Sequence, residues 1–376
     1  LLDLMLPDRS GLDLLPDIKE FDPHLPVVVI TAYSSVESAI EAMRRGAFHY
    51  VPKPFKNEEV LHLVHRAAER RALLVENVVL RSRLEGMGEI VGTSRRIEEV
   101  FELMRRAAPA RSTILVVGES GTGKELVARA IHRLSPRGEG TFVPVHTTAI
   151  PADLLESTLF GHVKGAFTGA VSSRKGLFEA AHNGTLFLDE VGTISPETQT
   201  KLLRVIQERE IRRVGSVEAK AVDTRLVAAT NTDLWQEVQK GNFREDLYYR
   251  LNVITIELPP LRDRREDIPL LATHFLRQYS EENQREVEGF SSQVMDALSN
   301  YHWPGNVREL ENAIERAVVL CRGDSIEVDE LPQAVRGEPT STTTTTAFPA
   351  EGVDFRGSVA EYQEHLIRQA LKLSLI

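Results

Sequence analysis

The sequence predicts an α/β protein in unequal parts: a short parallel α/β region, one long helix, then a larger α/β domain that ends in a helical lobe. Three observations carry this. Short apolar runs alternate with helical stretches in residues 1–55, and again on a larger scale from about residue 90 to residue 332. Residues 57–84 contain neither Gly nor Pro. A glycine-rich loop ending in lysine, Gly118-Glu119-Ser120-Gly121-Thr122-Gly123-Lys124, follows an apolar strand and opens a helix.

Composition bounds the answer. A chain of 376 residues fits two to three domains. Its 42% apolar and 27% charged residues are ordinary for globular protein and too apolar for a disordered chain. With 45 Lys+Arg against 55 Asp+Glu, the net charge of -10 argues against a blanket nucleic-acid coat and leaves room for a small basic module. The single cysteine, Cys321, excludes an internal disulfide and every multi-cysteine metal site. No apolar run approaches the ~18 residues that span a bilayer. Leu1 is not an initiator Met, and residues 1–6 lack the basic start of a signal peptide, so the chain is expected to begin inside a domain.

In order along the chain, Val27–Ile30 and Tyr50-Val51 read as strands of the first region. In residues 57–84, Val60, Val64, Ala67, Leu74, Val78 and Leu84 recur as on one helix face, which suits either pairing with a second copy or packing on its own domain. Residues 113–117, 141–145, 185–188 and 225–229 are the buried-strand candidates of the larger domain, and after about Phe243 the pattern is mostly helical. Residues 337–353, with Thr342–Thr346, have no apolar period and read as a flexible linker. The last stretch is helical, with Tyr362, Leu366, Ile367, Ala370 and Leu371 on one side.

The loop residues Gly118, Glu119, Ser120, Gly121, Thr122, Gly123 and Lys124 are the expected triphosphate cradle: backbone N–H groups and a helix N-terminus face the anion, and Lys124 reaches the outer phosphates. Glu125 stands where Ser or Thr would supply a hydroxyl to Mg²⁺. Gly184–Glu190 delivers two acids at a strand's carboxyl end. Asp189 is expected to hold Mg²⁺, and Glu190 to orient and activate the attacking water. Asn231 ends the next strand and is placed to reach the γ-phosphate. Arg244, Arg250 and Arg308 read alone as solvated charges; in a ring of subunits an arginine from a neighbour would complete the site.

Gly165-Ala166-Phe167-Thr168-Gly169-Ala170 puts an aromatic residue between glycines, with no alternation to bury it. These six residues match the GAFTGA loop of the sigma-54-dependent transcription activators, AAA+ ring ATPases of bacteria. Gly118–Glu125, Gly184–Glu190, Phe243–Arg250, Leu258–Arg262 and Trp303–Leu310 resemble the same family. The resemblance implies an ATP- and Mg²⁺-dependent ATPase whose loop engages RNA polymerase carrying sigma-54 and remodels the closed promoter complex. It makes Arg244 and Arg250 trans-acting fingers, Asn231 a sensor and Arg308 a second sensor.

The first region resembles the second half of a flavodoxin-like response-regulator receiver, with Asp3 as phosphoacceptor and Thr31 and Lys53 as its switch partners. That implies a sensor histidine kinase as partner. The strand carrying the Mg²⁺-binding acid pair is missing, so the sheet is expected to contain a gap and Asp3 to be phosphorylated poorly. Residues 361–373 resemble the first helix of a Fis-type helix-turn-helix, which implies enhancer DNA as a partner of a longer chain. The expected divisions are 1–56 receiver half, 57–88 linker helix, 89–332 ATPase, 333–354 linker and 355–376 start of the DNA-binding domain. The protein is expected in the cytoplasm, as a dimer and as a ring, a hexamer.

One position departs from the family. His146 stands where an Asn usually tethers the catalytic Glu. Neutral imidazole donating to Glu190 would couple hydrolysis to loop movement differently and with pH sensitivity, or would substitute adequately. The rival functions are a ring ATPase remodelling another substrate, and a phospho-switch that only holds nucleotide.

Overall fold

The computed structural model describes residues 1–336 except 7, 8, 22–24, 33–35, 85, 86, 89 and 168. The chain divides into two compact units, residues 1–332 and 333–376. The Thr-rich segment and the C-terminal helix expected from the sequence lie outside the described residues.

Residues 1–55 form a parallel sheet of β1 (Leu2–Asp3), β2 (Val28–Thr31) and β3 (His49–Pro52), connected by α1 (Gly11–Phe21) and α2 (Val36–Arg44). The registers Asp3↔Ile30 and Thr31↔Pro52 bring Asp3, Thr31 and Lys53 to the carboxyl edge of the sheet. The expected gap is not there. The three strands are contiguous with β1 at the border, because consecutive strands joined by helical crossovers are laid side by side.

The helix α3 (Asn57–Leu84) is unbroken over 28 residues. Val60 and Leu63 pack on Val28 and Val51, and Ala67 is also buried. Val64, on the same stripe about 40° round the helix from Val60, is 43% exposed, the face that pairing with a second copy would cover.

The larger part follows as α4 (Arg95–Ala107), β4 (Ile114–Val117), α5 (Lys124–Arg133), β5 (Phe142–His146) and α6 (Ala152–Phe160). A two-stranded ribbon, β6 (Gly161–His162) with β7 (Arg174–Lys175), leads to α7 (Leu177–Ala180), β8 (Thr185–Asp189) and α8 (Pro196–Glu208). A second ribbon, β9 (Glu210–Arg212) with β10 (Ala219–Ala221), precedes β11 (Arg225–Thr230), α9 (Leu234–Gln239), α10 (Glu245–Leu251) and β12 (Ile254–Glu257). The helical lobe contains α11 (Ile268–Glu282), β13 (Gly289–Phe290), α12 (Ser292–Asn300), α13 (Asn306–Leu320) and β14 (Ser325–Ile326). Helix α3 also touches α11.

The core sheet is parallel throughout, in the order β12-β4-β11-β8-β5. Both faces are covered, so the strands are apolar at nearly every position. Leu115, Leu186, Leu188, Leu226 and Ala228 enter one core, and Ile114, Val116, Phe187, Val227 and Ala229 the other. All four expected strands are present. The border strand β12 is the one missed: it is four residues long between a helix and Pro259, too short for its alternation to stand out. Among the described residues no helix is long and apolar enough to cross a membrane.

Candidate active site

The phosphate loop joins β4 to α5, and its backbone makes an anion site before any side chain is considered. Gly121 and Gly123 have φ of +79° and +100°, a left-handed geometry that a side chain would strain. Gly123 caps α5 without a side-chain bond, so the first N–H groups of a ten-residue helix point outward unpaired by a capping side chain. Lys124 is 7% exposed. Its Nζ donates to the carbonyls of Gly118 (2.9 Å) and Glu119 (3.3 Å) and lies 3.5 Å from Glu190 Oε1.

The acids sit at the end of β8, the adjacent strand but one. Glu190 takes φ +56°, a conformation that costs an ordinary residue about 1 kcal/mol or more. Thr147 Oγ1 lies 2.8 Å from the Asp189 carbonyl and 2.9 Å from that of Glu190, and holds the turn in place. The Glu190 carboxylate accepts from the Asn231 backbone N–H at 3.1 Å. Asn231 is there because β11 pairs with β4 through Thr230↔Val117 and so ends beside the loop.

His146 does not bond Glu190. Its Nδ1 is 3.1 Å from Asp189 Oδ2, and its Nε2 is 3.8 Å from Glu125 Oε2. Register is the reason: β5 pairs with β8 as His146↔Asp189, which sets residue 146 against the first acid, while Glu190 turns away beyond the strand. Glu125 is itself paired with Arg129, at 2.6 Å.

These groups line one cleft of about 460 Å³, formed by Ser120–Glu125, His146, Asp189 and Glu190 with Arg308 of the lobe. Gly118, Glu119 and Asn231 line a neighbouring cavity of about 600 Å³. Arg308 Nη1 is 3.3 Å from Ser120 Oγ. Arg264 was not anticipated. It is 2% exposed, lines the cleft, and its Nε has no hydrogen-bond partner among the described residues. Burial pushes the Arg264 guanidinium pKa down. Arg244 and Arg250 are exposed and line neither cavity; Arg244 pairs with Asp246 at 2.7 Å.

Residues 165–170 project from the ribbon of β6 and β7. Gly165 and Gly169 have φ of +85° and +107°, and a Cβ on either would meet open space, so backbone conformation and not crowding requires glycine. The turn closes through Gly165 N–H to Ala170 O at 2.9 Å. Phe167 is less free than its sequence context suggests: it stacks edge-on against His162, with ring centroids 5.1 Å apart, and is 37% exposed. Ala170 is buried, and Thr168 lies outside the described residues. The sequence reading missed the floor of the loop. Val163 N–H donates to Val214 O at 3.1 Å, and a Cβ on Gly215 would stand 2.7 Å from Ala166 Cβ.

In the first region Lys53 Nζ is 2.5 Å from Asp3 Oδ2. That hydrogen bond, with one from Met5 N–H, holds the Asp3 carboxyl below the usual range. Thr31 is 1% exposed at the end of β2, and its carbonyl accepts from Lys53 N–H at 2.7 Å.

Comparison with known proteins agrees with this geometry. The response regulator receiver domain matches residues 1–65, the sigma-54 interaction domain residues 90–257, and the AAA+ ATPase lid domain residues 262–348. The transcriptional regulatory protein ZraR of Klebsiella oxytoca is 50% identical over 372 residues, 99% of this chain and 82% of its own length. The regulatory protein AtoC of Escherichia coli K12 is 44% identical, over 99% of this chain and 81% of its own. The crystal structure of NtrX from Brucella abortus in complex with ATP superposes with a TM-score of 0.62 and 37% identity, over 91% of this chain and 76% of that one. This chain therefore belongs to the sigma-54-dependent response regulators of two-component systems, and its central domain is the AAA+ ATPase through which that family activates transcription.

Proposed function

We propose that ATP is bound in the cleft under α5, that Glu190 prepares the water that cuts it, and that copies arranged in a ring, a hexamer, complete one another's sites. The observation that carries this reading is the position of Glu190: its carboxylate stands between Lys124 Nζ and the Asn231 N–H, at the mouth of the phosphate loop. Lys124 would exchange the Gly118 and Glu119 carbonyls for phosphate oxygens. That exchange frees Glu190 to accept a proton from water at a carboxylate oxygen.

The donor set suits Mg²⁺. Asp189 and Glu125 present hard oxygens to the cleft, and Mg²⁺ is usually held by one or two carboxylates plus phosphates and water. Among the described residues no group of three or more His, Cys, Asp or Glu is placed to hold a metal alone. Bound in the cleft, Mg²⁺ would neutralise phosphate charge. Arg244 and Arg250, exposed and lining neither cavity of their own chain, are assigned to the site of a neighbouring copy, with Asn231 and Arg308 as sensors within the chain.

In the same reading residues 165–170 press on sigma-54 RNA polymerase, a sensor histidine kinase acts on Asp3, and residues 355–376 begin the part that holds enhancer DNA. The divisions near residues 56, 88, 332 and 354 are those of receiver, linker helix, ATPase and linker, and the protein works in the cytoplasm beside its polymerase. The test is ATP turnover against protein concentration, with and without Arg250→Ala. Turnover per subunit should rise with concentration, and the variant should lose about 10³–10⁵-fold in kcat. Equal turnover by dilute monomers would refute shared sites.

A further inference from the structure

A loop built to receive anions has an acid as its second residue, and the structure shows what that acid faces. Both Glu119 oxygens are held by Arg262, through Nη1 at 2.8 Å and Nη2 at 2.6 Å, and Asn306 Nδ2 donates to one of them at 3.1 Å. The same Nδ2 reaches the Ser120 carbonyl at 3.0 Å, and Arg308 N–H reaches the Gly121 carbonyl at 3.3 Å. The Gly305 carbonyl oxygen lies 2.2 Å from where a Cβ on Gly121 would stand. Three consecutive loop residues are thus held by the helical lobe. Asn306 is fixed in turn: it is fully buried at φ +53°, and its Oδ1 accepts from Leu261 N–H at 2.8 Å.

We propose that Glu119, Arg262 and Asn306 form a latch that makes the helical lobe follow the phosphate loop, with Glu119 a positioning residue for ATP hydrolysis. The proposal rests on the ATPase reading above. Gly121 and Gly123 leave the loop backbone soft, so its shape is set by whatever grips it. Phosphate grips it from the cleft and the lobe grips it from behind. The lobe cannot tilt at residues 305–308 without breaking the Asn306 bonds or dragging the loop along. The arginine and asparagine bonds together push the Glu119 carboxyl down to about 2, so the latch is charged at every working pH.

The test uses the full chain with Glu119→Gln, Arg262→Gln and the double variant. Both side chains are partly exposed, at 42% and 38%, so neither change opens the core. Each single variant should lose about tenfold or more in kcat, the scale of a charge-assisted hydrogen bond, while KM for ATP stays within about threefold. The double variant should be no worse than either single one. Hydrogen exchange of residues 303–310 should slow on ADP binding in the wild type and not in Glu119→Gln. Additive losses in the double variant, or ADP-dependent protection that survives in Glu119→Gln, overturn the latch. A wild-type chain that turns over no ATP would instead overturn the ATPase reading.

Discussion

Two sites in this chain set a lysine against a carboxylate at the carboxyl end of a parallel sheet. In the receiver part Lys53 meets Asp3 at 2.5 Å, with 42% and 33% of the two side chains exposed. In the ATPase part Lys124 meets Glu190 at 3.5 Å, with 7% and 17% exposed. Solvent screens the first pair, so it contributes little to stability. Lys124 has left bulk water and takes two backbone carbonyls in compensation. The first is a solvent-screened surface pair; the second is a socket shaped for a multiply charged anion.

The largest effect that could break this contrast lies at Glu190. Glu190→Gln should lower kcat by about 10²–10⁴-fold while ATP binding, followed by a fluorescent analogue, is kept. Lys53→Ala should shift the thermal midpoint by no more than about 4 °C, as befits an exposed pair. A midpoint drop far beyond that would make the two lysines equivalent structural elements.

An acid titration sharpens the contrast. The Glu179 side chain on α7 is 3% exposed and accepts from Arg213 at 2.8 and 2.9 Å and from Lys220, and these bonds push its pKa from 4.5 to about 2. The folded value lies below the unfolded one. Its stabilisation is therefore complete above pH 4.5 and disappears as pH falls toward about 2. Glu179→Gln should be less stable than wild type at neutral pH, with the gap in urea unfolding closing across that window. Asp3→Asn should show the same sign and a smaller gap, since the Asp3–Lys53 pair is exposed.

The smallest effect belongs to His146. Its contact is Asp189, and Asn at the same register position can still donate one hydrogen bond there. His146→Asn should change kcat/KM by less than about tenfold, the range of a single neutral hydrogen bond. A larger change, or one that appears in transcription but not in ATP turnover, would restore a direct coupling role.

Much of the ATPase site was legible in the sequence because its parts are local. Loop, lysine and helix start lie within Gly118–Lys124, and the two acids are consecutive at the end of an apolar strand. In the first region Asp3 and Thr31 end strands and Lys53 directly follows one, so their shared edge was legible locally, while their roles came from the resemblance to a receiver. Where the reading failed, the partner was chosen at a distance. Glu119 was read only as a member of the phosphate cradle, because its partner Arg262 lies 143 residues away and Asn306 lies 187 away. His146 was assigned to the wrong acid because strand register, not spacing, decides whether it faces residue 189 or 190.

By itself, then, the sequence determined four of the five core-sheet strands, the glycine-rich loop and the chemical kinds of group beside it, since apolar period, left-handed glycines and adjacent acids act over a few residues. Only the tertiary structure decided that the lobe grips the loop through Glu119, that Glu190 rests between Lys124 and Asn231, and that Phe167 leans on His162. Those pairings follow from how sheet and lobe dock, and docking is set by the shapes of whole packed surfaces, which no short stretch of chain encodes.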